Sequence, residues 1–151
     1  MIREFKVDNL EAVMKIWLEA NITAHDFIRP DYWQEKYKPV EKMLPAAAIF
    51  VYEEGNAILG FIGIIENYIA GIFVDVNSQS KGIGKALLDH VKKSCFKLSL
   101  QVYKKNYSAV RFYLREGFAV LNEQTDENTG ETELVMSWTK SGFNNLGEGT
   151  V

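Results

Sequence analysis

Hydrophobic positions recur with a helical period in the first part of the chain. After a short strand candidate over residues 2–5, apolar residues return every three or four positions from Leu10 to Ala20, which predicts an amphipathic helix. Asp8 precedes that run and Glu11 follows three residues later, a spacing typical of a helix start. We expect a connector over residues 21–31 and then a second helix over residues 32–43.

From residue 47 onward the pattern changes to that of β-strands. A polar turn of hairpin type separates residues 48–52 from residues 58–65, and residues 68–76 form another apolar run. Apolar residues then recur every four positions from Ile83, which predicts a third helix. The remaining elements are a strand over 97–102, a helix over 109–116 and closing strands over 118–122 and 133–138. The order predicts about seven strands and about four helices.

The length of the chain is sufficient for one domain with a buried core. It has 151 residues, of which 47% are apolar and 25% charged, an ordinary globular composition. We expect the domain over residues 1–139 and a tail over residues 140–151. No apolar run approaches the roughly 20 residues that span a bilayer, and the N-terminus lacks a signal-peptide pattern. Together with a single cysteine, Cys95, these features favour a cytoplasmic protein without a membrane segment.

The charge distribution is locally basic within an acidic protein. The net charge of −3 argues against a nucleic-acid-binding protein, in which basic residues are normally in excess. Seven lysines nevertheless fall between residues 81 and 105. Such a cluster suits a compact polyanionic ligand, although a solvated, lysine-rich helix face accounts for it equally well.

A glycine-bearing turn joins the predicted strand over residues 68–76 to the third helix. It ends in Gly82-Ile83-Gly84, and the unpaired amides at a helix N-terminus suit a phosphate group. Glycines let a ligand approach the backbone closely, but a tight structural turn explains the same residues. The chain has no Gly-x-x-x-x-Gly-Lys-Ser/Thr pattern, and the third glycine of the dinucleotide fingerprint is missing. The residues therefore support neither a nucleotide-hydrolysing P-loop nor a dinucleotide-binding loop.

Two motifs carry a resemblance to a known family. The turn Gln79-Ser80-Lys81-Gly82-Ile83-Gly84 matches the pyrophosphate-binding signature Gln/Arg-x-x-Gly-x-Gly/Ala of the GNAT superfamily of N-acetyltransferases. Downstream, residues 106–118 resemble that superfamily's Asn-x-x-Ala-x-x-Phe-Tyr-x-x-x-Gly-Phe segment. The resemblance covers about residues 1–139 and implies an α/β (α+β) GNAT fold with a mixed, mostly antiparallel central sheet.

Within the superfamily, the chain is similar to the bacterial YiaC-type acetyltransferases. The shared features are the runs over residues 16–19 and 25–28, the pair Tyr32-Trp33 and the run over residues 136–138. That group resembles protein-lysine or N-terminal acetyltransferases. The resemblance therefore implies an enzyme that moves acetyl from acetyl-CoA directly to a primary amine, on a protein or a small molecule, through a ternary complex. A catalytically weak acyl-CoA-binding sensor or regulatory module is the alternative.

The resemblance assigns the acetyl-CoA site to the strand end, the turn and the downstream motif. The strand end lends backbone groups to the pantetheine arm, the turn amides hold the pyrophosphate, and lysines, Lys104 among them, add charge near the 3′-phosphate. Asn106 has two interpretations, a ligand of the cofactor arm or a plain helix cap. The expected acetyl-CoA-binding residues are Phe73, Val74, Val76, Gln79, Lys81, Gly82, Ile83, Gly84, Lys85, Asn106 and Ala109.

Tyr113 and Glu66 are the expected catalytic residues. A tyrosine with a pKa near 10 keeps its proton at neutral pH, so Tyr113 is the expected donor to the departing CoA thiolate, with a core aromatic as the alternative. The acceptor ammonium must lose a proton, but residues 69–71 lack the glutamate that many superfamily members place there. Glu66 is the expected substitute, unless it is only an exposed turn carboxylate. His25 is the second candidate base, and a base acting through water stays open.

The acceptor groove is expected beside the first two helices. Aromatic rings there pack a lysine stem or attract an ammonium, and the alternative is that they form core or a dimer surface. The expected substrate-binding residues are His25, Phe27, Tyr32, Trp33 and Tyr68. Dimers are common in the superfamily, so a homodimer is one expectation. No His, Cys, Asp or Glu cluster has metal-ligand spacing, and no metal is expected.

Overall fold

The structure is a computed structural model that describes residues 1–140. Of the tail expected over residues 140–151, all but Lys140 lies outside the described residues. The strands are β1 Ile2–Glu4, β2 Ala48–Glu54, β3 Ala57–Ile65, β4 Tyr68–Val74, β5 Lys97–Tyr103, β6 Ala119–Thr125 and β7 Thr132–Thr139. The helices are α1 Leu10–Ala24, α2 Pro30–Met43, α3 Ile83–Lys92 and α4 Tyr107–Arg115, with short 3-10 turns at Val7–Asn9 and Leu44–Ala46.

The seven strands form one sheet in the order β1-β2-β3-β4-β5-β7-β6. All neighbouring pairs are antiparallel except β4 and β5, which are parallel. The expectation of a mixed, mostly antiparallel sheet with four flanking helices is confirmed. No helix within residues 1–140 is long and apolar enough to cross a membrane.

Each face of the sheet is covered by its own hydrophobic core. On one face, α3 packs Leu87 and Leu88 against the strands, together with Leu98 and Met136, all fully buried. On the other face, α1 and α2 form a second core around Met14, Trp17, Trp33, Val51 and Phe61. The molecule is therefore a three-layer α/β/α structure, and a passage through the sheet would connect its two faces.

The first helix is longer than the sequence pattern indicates. α1 continues to Ala24, so the prediction that the connector begins at residue 21 is wrong. The pattern is interrupted by Asn21, but this polar residue is 4% exposed and still helical. Its carbonyl oxygen accepts hydrogen bonds from both the backbone amide and Nδ1 of His25, at 3.0 and 2.9 Å. These bonds end the helix at the edge of the site described below.

The parallel strands β4 and β5 meet at one end only. Their one register pair joins Tyr68, the first residue of β4, to Ser99 near the start of β5. Nearby, the amide of Ser99 donates to the carbonyl of Asn67 at 2.9 Å. β5 pairs along its whole length with β7 on its other side. Beyond Tyr68 the two central strands diverge and leave a gap in the sheet.

Candidate active site

A cavity of about 230 Å³ lies in the gap between β4 and β5. Six residues expected from the sequence line it together: His25, Trp33, Phe73, Asn106, Ala109 and Tyr113. The other lining residues are Trp17, Asn21, Ala70, Gly71, Ile72, Gln101, Val102, Tyr103 and Glu133. An open depression of about 560 Å³ between α1 and α2 is larger but contains none of the expected residues. The smaller cavity is therefore the candidate site.

An extra residue in β4 accounts for the divergence of the two strands. Gly63 pairs with Gly71 and the next residue, Ile64, pairs with Ile69, so Ala70 has no partner of its own on β3. A bulge of this kind bends a strand and increases its twist. A Cβ at position 71 would lie too close to the ring of Phe73, so any larger residue there would displace that ring. The bulge turns the middle of β4 away from β5 and opens the cavity.

The end of β4 presents an unpaired strand edge to the cavity. Phe73 lines the cavity, Val74 is the last residue of the strand and Val76 lies half-buried just beyond it. Gln79 Nε2 donates to the carbonyl of Val74 at 3.4 Å and ties the following turn to the strand. Because β5 has diverged, the backbone groups on this edge are available to a ligand.

The turn after β4 has a backbone conformation that favours glycine. The amide of Asp75 donates to the carbonyl of Leu59 at 2.8 Å, and Asp75 Oδ2 accepts from the amide of Asn77 at 3.2 Å. Gly82 then adopts φ +81°, in the left-handed region that side chains disfavour. A Cβ at Gly82 would meet no atom within 4 Å. Backbone conformation, not lack of space, therefore selects glycine at this position.

The start of α3 presents backbone amides that fit an anion. The helix begins at Ile83, and no side chain caps its N-terminus. The first amides of a helix lack internal partners, and the helix dipole favours negative charge there. A Cβ at Gly84 would make only ordinary contact with Phe112, at 3.8 Å, so packing within the protein does not require glycine. These features fit an anionic group such as a phosphate.

Two of the three lysines expected near the phosphates are held in other contacts. Lys85 Nζ lies 3.1 Å from Glu116 Oε1 and 3.2 Å from Asp89 Oδ2. Lys104 Nζ lies 3.1 Å from Glu123 Oε2 on β6. Lys81 is exposed, and no ion pair with another residue of 1–140 engages it. Lys81 is therefore the lysine best able to approach a phosphate bound at α3.

Tyr113 lies on α4 and has its ring in the α3-side core. It is 8% exposed, and its ring makes edge contacts with Phe112 and Phe118. Burial, and secondarily the neighbouring Tyr68, raises the pKa of Tyr113 above its ordinary value. No residue of the described chain forms a hydrogen bond with its hydroxyl group. The ring of Tyr113 is thus part of the core, and the residue also lines the cavity. Its hydroxyl group keeps its proton at neutral pH.

His25 and Asn106 hold each other in fixed orientations. A carbonyl oxygen only accepts, so the 2.9 Å contact with Asn21 places a proton on His25 Nδ1. His25 Nε2 then accepts from Asn106 Nδ2 at 3.3 Å, while Asn106 Oδ1 caps α4 by accepting from the amide of Ala109 at 3.3 Å. Burial lowers the pKa of His25, opposed in part by the bond to Asn21. Neutral imidazole is therefore the form that the site holds, with its lone pair engaged.

The remaining acceptor candidates form a series of aromatic contacts beside His25, and of them Trp33 lines the cavity whereas Phe27 and Tyr32 do not. The His25 ring stacks on Trp33 with centroids 5.0 Å apart, and Phe27 contacts it edge-on at 5.7 Å. Tyr32 contacts Trp33 edge-on at 4.9 Å. Asn21 Nδ2 and Trp33 Nε1 are buried donors without a partner in residues 1–140, each of which costs about 1–3 kcal/mol. The α1–α2 side of the cavity is thus an aromatic wall with unsatisfied polar groups.

The structure does not bring Glu66 to the cavity. Glu66 lies exposed in the turn before β4, with φ +57°, at the closed end of the gap. Tyr68 is half-buried at the first position of β4 and is close enough for the charge of Glu133 to raise its pKa, after the larger effect of burial. The carboxylate that does line the cavity is Glu133, on β7. The alternation along β7 is the sequence signal that could have separated Glu133 from the buried Leu134.

Comparison with protein-family models matches an acetyltransferase (GNAT) domain to residues 15–140, most of the chain. The chain belongs to the GNAT acetyltransferase family. It is 36% identical over 140 residues to the peptidyl-lysine N-acetyltransferase YiaC of Escherichia coli (strain K12), covering 91% of this chain and 96% of that protein. It is 27% identical over 137 residues to the peptidyl-lysine N-acetyltransferase YjaB of the same strain, covering 90% and 93%.

The fold comparison agrees with the family assignment. The solution structure of apo-form YjaB from Escherichia coli superposes with a TM-score of 0.81 at 26% identity, over 91% of this chain and 96% of that one. The expected family, fold and enzyme class are therefore confirmed: the chain is a GNAT acetyltransferase. Within residues 1–140, no group of three or more His, Cys, Asp or Glu residues is arranged to hold a metal ion.

Proposed function

We propose that this GNAT acetyltransferase moves the acetyl group of acetyl-CoA directly to a primary amine within a ternary complex. The acceptor we propose first is a protein lysine, because the relatives YiaC and YjaB are named peptidyl-lysine N-acetyltransferases. The observation that carries the proposal is the cavity in the gap of the sheet. It is lined by Tyr113 from the α3-side core and by Trp33 from the α1–α2-side core, so two substrates have a common meeting point.

The α3 side of the gap has the groups that acetyl-CoA requires. The amides that follow Gly82 at the start of α3 suit the pyrophosphate, and the exposed Lys81 adds positive charge nearby. At Phe73 the edge of β4 that faces the gap has no strand partner, and it suits the amides of the pantetheine arm as a pairing partner. Asn106 is already engaged as the cap of α4 and as a donor to His25. Its role is therefore to shape the path along which the arm lies, together with Ala109.

The chemistry needs one proton donor at the thioester sulfur. The acceptor ammonium first loses a proton to water, and the uncharged amine then attacks the thioester carbonyl carbon. A C–N bond forms, and the C–S bond breaks as the intermediate collapses. Tyr113 gives its proton to the departing thiolate, and the tyrosinate regains a proton from the new amide nitrogen, which carries one in excess. Amine and thioester thus become amide and free CoA thiol, without another reactant. A positioned general acid typically contributes about 10²–10⁴-fold to such a step.

A thiol-release assay tests this proposal. Free CoA would be followed with a thiol reagent at saturating acetyl-CoA, across lysine peptides, peptides with a free N-terminus, polyamines and amino sugars. We expect release that depends on the amine, with lysine peptides the best acceptors and a mass gain of one acetyl group per peptide. Slow release that no amine accelerates, with acetyl-CoA still bound tightly, would instead identify an acyl-CoA-binding sensor.

A further inference from the structure

Glu133 gives the acceptor side of the cavity its negative charge. It lies on β7, directly opposite Tyr103 in the register with β5. Among the cavity-lining residues of the described chain, it is the one carboxylate, and neither lysine nor arginine is present. A half-buried carboxylate without a cation nearby attracts a positively charged ligand more strongly than a solvated one. The cavity is therefore electrostatically suited to a cation.

The bonding of Glu133 differs from that of the acids around it. Glu123 is paired with Lys104 and Glu131 with Lys105, both at 3.1 Å. Glu133 Oε1 accepts one hydrogen bond, from Gln124 Nε2 at 3.1 Å. In residues 1–140 no ion pair engages Glu133, and no hydrogen bond reaches its second oxygen. Since an ionised carboxylate offers about four acceptor positions, Glu133 retains capacity for an incoming donor.

Two tyrosines lie within reach of the charge of this carboxylate. Burial, and after it the charge of Glu133, raises the pKa of Tyr68 on β4. The pKa of Tyr32 on α2 is raised by burial first and then by Asp126, with Glu133 the smallest of the three causes. These rings and Glu133 therefore lie within electrostatic reach of one another. The face of an aromatic ring attracts an ammonium group and also packs against a methylene chain. A lysine side chain has both parts.

We propose that Glu133 is the residue that receives the ammonium group of the acceptor and selects for cationic amines. The inference rests on the proposed acetyl transfer and adds a specificity-determining residue to it. Glu133 holds the charged end of the lysine in the cavity, with the rings of Trp33 and Tyr103, which line the cavity, along its stem. It contributes ground-state affinity for the acceptor, so its loss affects the KM for the acceptor more than kcat.

The test compares two peptides that differ in the charge of the nucleophile. One carries a lysine, and the other carries an aminooxy side chain of similar length, which is uncharged at neutral pH. In Glu133→Gln the amide oxygen still accepts from Gln124, so the local bond is kept while the charge is removed. We expect the KM for the lysine peptide to rise about tenfold, as for loss of a charged hydrogen bond, and the KM for the aminooxy peptide to change by less than about twofold.

Glu123→Gln is the matched control, because it removes the same charge from the same sheet but from an acid paired with Lys104. It should leave both KM values unchanged, and the KM for acetyl-CoA should be unaffected in either variant. The inference would be overturned if the KM of Glu133→Gln for the lysine peptide equalled that of the wild type. An equal rise of the KM values for both peptides would also overturn it. In both cases the wild-type enzyme still acetylates the peptides, so the proposed function stands. Failure of the wild type itself would overturn the proposed function instead.

Discussion

The two faces of the gap between β4 and β5 are built in different ways. On the α3–α4 face, the functional groups come from two short segments, the turn around Gly82 and the helix that carries Tyr113, and backbone amides supply much of the chemistry. On the α1–α2 face, the side chains of Trp33, Tyr103 and Glu133 meet from a helix and two strands far apart in sequence. One face depends on main-chain groups, and the other on side chains assembled by tertiary structure.

In the reaction that we propose, the first face holds the constant substrate and the second face selects the acceptor. Backbone amides are present whatever the side chains are, so a phosphate site built from them needs only glycine at the strained position. An aromatic wall with one carboxylate changes whenever a contributing side chain changes. The comparison therefore predicts that substitutions on the first face affect every acceptor alike, while substitutions on the second change which acceptor is used.

The largest expected effect is that of Tyr113→Phe on the first face. Removal of the hydroxyl should lower kcat about 10²–10³-fold for every acceptor, because the thiolate then leaves without its proton donor. The KM for acetyl-CoA should change little, since the ring still packs on Phe112 and Phe118. Tyr107→Phe is the control, because Tyr107 is on the same helix but 66% exposed. A kcat for Tyr113→Phe equal to that of the wild type would show that Tyr113 is not the proton donor.

A smaller effect is expected from Gly82→Ala, which tests whether the turn is a cofactor site. Alanine at φ +81° costs about 1–2 kcal/mol of backbone strain, which the turn relieves by moving. We expect the KM for acetyl-CoA to rise about tenfold for all acceptors alike. Gly130→Ala is matched, because Gly130 has φ +76° and likewise no atom within 4 Å of an added Cβ.

The two glycine variants should lose similar stability in thermal unfolding, while only Gly82→Ala loses affinity for acetyl-CoA. Equal acetyl-CoA affinities in the two variants would show that the turn is a structural connection and not a cofactor site.

The smallest expected effect is that of His25→Gln on the second face. It is measured as the free energy of unfolding as a function of pH. The folded protein holds His25 neutral with a lowered pKa, whereas the unfolded chain titrates near 6.5. Below about pH 6.5 the unfolded chain therefore binds a proton that the folded one does not, and stability falls as pH decreases through this range. In His25→Gln, the free energy of unfolding, measured with urea between pH 5 and 8, should fall less steeply as the pH decreases.

The other histidine of the chain supplies the control. His90→Gln is the matched substitution, because His90 lies on α3 and is not among the residues that line the cavity. An unchanged slope in His25→Gln would show that the imidazole is not held neutral by the aromatic wall.

The same contrast explains what could be predicted from the sequence. Gly82 and Tyr113 lie in contiguous motifs, so their placement follows from local pattern and family resemblance. The bulge at Ala70 depends on the register between β3 and β4, which no local pattern determines. Glu133 reaches the cavity because β7 pairs with β5 across about thirty residues of sequence. Glu66 was the expected base from its position before β4, but the turn points it into solvent.

The single register pair between β4 and β5 also affects how easily the gap between these strands can widen. Beyond Tyr68, the two halves of the sheet are joined by side-chain packing, with Ile69 of β4 and Leu100 of β5 in the same core. No hydrogen-bonded ladder joins the two strands there, so a change in their separation breaks no ladder hydrogen bond. The width of the gap can therefore adjust to its occupant without breaking a strand pairing. In the acetyl transfer that we propose, a slot of adjustable width would accommodate acceptors of different thickness.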